Sequence, residues 1–130
     1  MKVLFADDCP ITRAMVASFL ESEGYVVYAV ESREQLLQML ESGLRPRVVV
    51  TDNSMPERDE GVRVLQYIRE NPGLSHLPVI VHSSDDGGDG PSGESGLRKV
   101  VEGLGGMFAE KTTPPFDKLL VALRNSCQGA

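Results

Sequence analysis

Val3-Leu4-Phe5-Ala6-Asp7-Asp8 and Val48-Val49-Val50-Thr51-Asp52 decide the fold of this chain. Each opens with an apolar run too short for a helix and rich in the branched and aromatic side chains of a strand buried on both faces. Each then ends in acid, so all three carboxylates stand where a strand gives way to a loop. In an open α/β sheet, the rim at the carboxyl ends of the strands is where ligands bind. Carboxylates crowded there repel one another unless a cation joins them, and Mg2+ is a hard ion that takes oxygen ligands. The outline is that of a metal-assisted phosphate site.

Outward from these runs the chain alternates strand and helix patterns, the mark of βα units on a parallel sheet. A first strand over Lys2–Ala6 leads to a helix opening at Pro10, since proline suits a first turn. Ile11, Met15, Phe19 and Leu20 are its expected inward stripe, and Gly24 its stop. Tyr25–Val30 reads as a second strand, followed by a helix capped by Ser32 with Leu36, Leu37 and Leu40 inward. Val48–Thr51 is the third strand, and Gly61–Asn71 a third helix on Val62, Leu65 and Ile68. Pro78–His82 is the fourth strand. Ser83–Gly96, with no apolar side chain, reads as a solvated loop. Leu97, Val100, Val101 and Leu104 make a short helix, Met107–Glu110 a fifth strand, and Phe116, Leu119, Leu120 and Leu123 a last helix. The expected fold is a flavodoxin-like, doubly wound (βα)5 domain whose five parallel strands run in the order 2-1-3-4-5. Residues 1–127 are expected to form this one domain, with no output module after it.

The chain has 130 residues and a net charge of −6, with 41% hydrophobic and 25% charged residues. That balance suits one globular domain and argues against direct binding to nucleic acid or an anionic membrane, which calls for clustered Lys and Arg. No apolar stretch is long enough to span a bilayer, and the expected compartment is the cytoplasm. Cys9 and Cys127 are expected to be free thiols, with the neighbouring acids raising the pKa of Cys9.

Asp8, taken alone, reads as a helix cap, and Asp7 as solvated. A third acid on the neighbouring strand end changes that balance, because adjacent strands lie about 5 Å apart and one ion can bridge them. Asp52 is then a metal ligand or a nucleophile, since carboxylates form aspartyl-phosphate intermediates. Such transfer depends on positioning and charge stabilisation, which calls for a fixed cation and a hydroxyl donor. Lys111 after the fifth strand and Ser83 after the fourth stand on the same rim.

With Asp7-Asp8, Asp52, Met55-Pro56, Ser83 and Lys111 in register on an alternating βα pattern, the chain resembles response-regulator receiver domains over nearly its whole length. The resemblance implies that Asp52 accepts a phosphoryl group from a histidine kinase or histidine phosphotransfer protein. It implies Mg2+, with Mn2+ as a substitute, on Asp8, Asp52 and the backbone carbonyl of Ser54, with Asp7 holding a metal-bound water. Ser83 and Lys111 would bind the phosphoryl group, and Phe108 would be the aromatic switch residue. The domain would catalyse its own phosphorylation and dephosphorylation and turn over no separate substrate. The signal would pass to a downstream protein through the surface of the fourth helix, fifth strand and fifth helix, which also offers a homodimer face.

The chain departs from the family in four places. Thr112 stands where a proline usually follows the lysine, and the loop Met55-Pro56-Glu57-Arg58-Asp59-Glu60-Gly61 carries one extra residue. Ser84 replaces a small alanine, and the Ser83–Gly96 loop is long. The competing reading is an unphosphorylated interaction module of the same fold. A flavin or nucleotide binder fits less well, because acids after the first strand repel the phosphate held there. A phosphate-ester hydrolase would want a general acid two residues past Asp52, where Ser54 stands. His76 and His82 are isolated and suggest no metal or acid–base site.

Overall fold

A computed structural model describes residues 1–53, 59–83, 97–111 and 116–128. Five strands and five helices alternate along them: β1 (Lys2–Ala6), α1 (Pro10–Ser22), β2 (Val26–Val30), α2 (Arg33–Glu41), β3 (Val48–Thr51), α3 (Glu60–Glu70), β4 (Val79–Ser83), α4 (Leu97–Gly103), β5 (Met107–Glu110) and α5 (Asp117–Gln128). The strands form one parallel sheet in the order β2-β1-β3-β4-β5, as expected.

Side chains alternate across a strand, so each buried strand feeds two cores. Val3 and Phe5 of β1 pack with Val16 and Leu20 of α1 and with Leu119 and Leu123 of α5 on one face. Leu4 and Ala6 face the other way, toward Leu36 and Leu40 of α2, Leu65 and Ile68 of α3, and Val101 of α4. β3 and β4 are buried along their whole lengths, whereas β2 is a half-exposed edge.

Local chemistry sets the helix ends. Ser32 accepts a hydrogen bond from the Gln35 amide at 3.1 Å and caps α2. Gly24, Gly43 and Gly105 take positive φ in the turns after α1, α2 and α4, where a side chain would be strained. Arg69 ties three segments together. Its guanidinium donates to the carbonyls of Leu77 at 2.7 Å, Gly105 at 2.8 Å, Leu104 at 2.9 Å and Ser75 at 3.1 Å.

Several expectations need correction. Ile11 and Met15 point to solvent, at 72% and 41% exposure, and α1 packs through Val16 and Leu20 instead. Val100 of α4 is likewise exposed, with Leu97 and Val101 inward. Ser83 belongs to β4, because its pairing with Glu110 carries the ladder one residue beyond His82. Of the expected Ser83–Gly96 loop, everything after Ser83 lies outside the described residues, as do Ser54, Met55, Pro56 and Thr112.

Candidate functional site

The sheet itself places the site. Backbone hydrogen bonds continue the ladder one step past three strands. The Asp7 amide donates to the Val30 carbonyl at 3.1 Å, that of Asp52 to Ala6 at 2.9 Å, and that of Lys111 to Ser83 at 2.9 Å. Asp7, Asp52 and Lys111 are therefore held as firmly as strand residues, at the carboxyl ends of β1, β3 and β5. One carboxylate oxygen each from Asp7, Asp8 and Asp52 lies within 4.8 Å of the other two. The expected triad is assembled.

Asp7 is fully buried, Asp52 nearly so, and Asp8 is exposed on the open side. The Cys9 amide donates to Asp7 Oδ1 at 2.9 Å, and Arg13 Nη1 to the Asp7 carbonyl at 2.8 Å, which fixes the corner between β1 and α1. Asp8 caps nothing: Cys9 is the N-cap residue and Pro10 the first helical one. The Cys9 thiol is lowered rather than raised. The hydroxyl and amide of Thr12 favour the thiolate and outweigh Asp7.

Lys111 Nζ lies 2.9 Å from Asp7 Oδ2 and 3.3 Å from Asp52 Oδ2. Burial opposes its ammonium, but Asp52 and Asp7 outweigh that cost and raise its pKa. Asp7 Oδ2 is buried, and the Lys111 ammonium at 2.9 Å is its charge partner. Three clustered carboxylates, hard oxygen donors all, fit Mg2+ well.

Ser83 is 3% exposed at the end of β4, and Phe108 is buried in β5 with the Arg98 guanidinium 4.7 Å over its ring centroid. His82 is fully buried, its ring edge-to-face with Phe116 at 6.0 Å, and neither ring nitrogen has a hydrogen-bond partner. Burial, with a smaller push from Lys111, lowers its pKa to about 3.

Sequence reasoning missed the support beneath Asp52. Asn53 Oδ1 accepts from the Val62 amide at 3.2 Å, so a residue two positions past the end of β3 does the work of an N-cap for α3. Asp59, the residue before α3, takes φ 67 and makes no side-chain cap of its own, while the rest of the loop with the expected extra residue, 54–58, lies outside the described residues. Gly61 then packs directly on the main chain just past β3: a Cβ there would lie 2.9 Å from the Asp52 carbonyl oxygen. The Asp–Asn pair after a strand was the available signal, but it names no partner without the fold.

The family model for the response regulator receiver domain matches residues 3–89, ending before Lys111. Two-component response regulator ORR6 of Oryza sativa subsp. japonica is 38% identical over 88 residues, covering 66% of this chain and 51% of that protein. ORR11 of Oryza sativa subsp. indica is 34% identical over 84 residues, covering 65% and 56%. The chain thus spans little more than half the length of these relatives. The chemotaxis response regulator CheY4 of Vibrio cholerae superposes with a TM-score of 0.76 at 22% identity, over 96% of this chain and 97% of that one. Response regulator TrrA of Thermotoga maritima, in complex with Mg2+-BeF, gives 0.75 at 22% identity over the same shares. These likenesses establish the fold. With the family model matched over most of its length, the chain belongs to the response regulator receiver domains.

Proposed function

We propose that this domain is a phosphorylation-driven switch whose acceptor is Asp52. The observation that carries the reading is the convergence of Asp7, Asp8 and Asp52 with Lys111 on one rim of the sheet. A carboxylate oxygen of Asp52 attacks the phosphorus of a phosphohistidine on a histidine kinase or phosphotransfer protein. The P–N bond breaks, and its electron pair stays on the leaving imidazole. Asp8 and Asp52 would hold Mg2+ directly, with Asp7 holding a water on it; the Ser54 carbonyl, the remaining expected ligand, lies outside the described residues. Mg2+, when bound there, would neutralise the carboxylates so that an anionic phosphoryl group could approach.

Lys111 balances the charge of Asp7 and Asp52 before transfer and pairs with a phosphoryl oxygen after it. Ser83 donates its hydroxyl to another. Phe108 reports the change at the surface between α4 and α5, where a groove of about 350 Å³ is lined by Arg98, Phe108, Glu110, Lys118 and Val121. A downstream protein, or a second copy in a homodimer, reads that α4-β5-α5 face. Residues 1–127 form the switch. Among the described residues no helix is long and apolar enough to cross a membrane, in keeping with a cytoplasmic setting.

An Mg2+ titration followed by amide NMR tests the site. Saturable shifts should centre on Asp7, Asp8 and Asn53 and vanish in Asp52→Asn; shifts scattered over the acidic surface, or none, would remove the metal from the reading.

A further inference from the structure

The ion pair between Arg33 of α2 and Glu60 of α3 stands outside the acidic site, and neither the family resemblance nor the triad accounts for it. Arg33 Nε lies 3.3 Å from Glu60 Oε2, and the Glu60 side chain is only 6% exposed. An exposed pair of this kind would be a surface detail. A buried carboxylate is different: desolvation makes it costly, and a well-packed apolar side chain would serve stability as well or better. What such a pair adds is a fixed register between two helices, here the start of α3 against α2.

That register matters because α3 starts on the main chain of the site. The Glu60 amide donates to the Asn53 carbonyl at 2.8 Å, and the Val62 amide to Asn53 Oδ1 at 3.2 Å. Between them Gly61 sits against the Asp52 carbonyl with no room for a methyl group. The residue before Glu60, Asp59, takes a left-handed conformation uncommon for a side-chain-bearing residue. A helix entered through such a residue needs holding from elsewhere. Besides the hydrogen bonds to Asn53, the contact with Arg33 at 3.3 Å bears on that first turn.

We propose that Arg33 and Glu60 are a positioning pair for the phosphoacceptor: their contact seats the first turn of α3 on Asp52 and Asn53 and thereby sets where the Asp52 carboxylate points. The proposal rests on the phosphoacceptor reading above. Neither residue touches the reacting group; both act through Gly61 and Asn53.

The test replaces the pair by apolar side chains of similar length, Arg33→Met with Glu60→Met, which removes the charges and keeps the volume. Glu60→Gln, which keeps the shape, covers the case in which the double variant does not fold. Three quantities are read well below Tm: hydrogen exchange at the Glu60 and Val62 amides, the Kd for Mg2+ alone, and the rate of mass gain with acetyl phosphate. The expected result is a folded protein whose two amides exchange about ten-fold faster or more, with Val81 in β4 unchanged. Mg2+ affinity and modification rate should each fall by about ten-fold, because small misplacements of a reacting group carry penalties of that size. A lower Tm with all three quantities at wild-type values would mean a purely structural pair and overturn the proposal. Wild-type values throughout would overturn it as well. If the wild type itself neither binds Mg2+ nor gains a phosphoryl group, the phosphoacceptor reading falls and takes the pair's role with it. A competent wild type beside an equally competent variant removes the pair alone.

Discussion

Replacing His82 by valine should make the fold less sensitive to acid, and the size of the effect follows from where the ring sits. His82 is fully buried in β4 against Phe116, with both ring nitrogens unpaired and Lys111 close enough to disfavour a second positive charge. Its pKa in the folded protein is about 3, against an ordinary value of 6.5. Below pH 6.5 the unfolded chain therefore binds a proton that the folded chain refuses. Stability present above that pH is lost as pH falls, until the folded pKa near 3 is passed. Linkage puts the loss at about 2 kcal/mol by pH 5 and at most about 5 kcal/mol at the acid end. Urea unfolding followed by far-UV circular dichroism at pH 8 and pH 5 measures it. The wild type should lose about 2 kcal/mol more than His82→Val between the two pH values. At pH 8 the variant should be about as stable as the wild type, since a lost ring offsets two removed buried polar atoms. Equal losses in the two proteins would mean that His82 is not the source of the acid sensitivity.

Three further perturbations probe the site and its frame. Gly61→Ala places a methyl group 2.9 Å from the Asp52 carbonyl oxygen; it should slow phosphorylation by acetyl phosphate about ten-fold, read by intact mass, and an unchanged rate would show that α3 does not constrain Asp52. Lys111→Ala removes the ammonium from Asp7 and Asp52. Calorimetric titration should then show tighter Mg2+ binding, because the competing cation is gone, together with slower phosphorylation; weaker Mg2+ binding would contradict the charge balance drawn here. Arg69→Met strips four carbonyls of their guanidinium partner and should cost about 3 kcal/mol in urea unfolding, whereas a loss under about 0.5 kcal/mol would mean water replaces it freely.

The strands and the acidic rim were legible in the sequence because both rest on short-range pattern, and the strand order followed from the doubly wound topology that alternating βα units adopt. Val48-Val49-Val50 leaves little choice but a strand buried on two faces, and an acid directly after such a run must stand at its end. The face of α1 was not legible. Ile11, Met15 and Phe19 form one helical row and Val16 and Leu20 the adjacent one, both apolar, and only the packing of α1 on β1 and against α5 selects the second. The end of β4 was short by one residue because serine is a poor strand signal until Glu110 pairs with it. Asn53, Gly61 and the Arg33–Glu60 pair were invisible for a related reason. Each works by touching a segment remote in sequence or reached through an unusual backbone turn at Asp59. Cys9 was misjudged because its neighbours in sequence are acids, while its neighbours in space include the first turn of α1.

On the reading proposed above, Asp52 takes up a phosphoryl group with the help of Mg2+ on the neighbouring acids. Intact mass spectrometry of the protein mixed with Mg2+ and acetyl phosphate tests it most directly. One phosphoryl group should be gained, none in Asp52→Asn, and none in the wild type once the metal is chelated. A wild type that gains no mass, or an Asp52→Asn variant that gains as much as the wild type, would contradict the account.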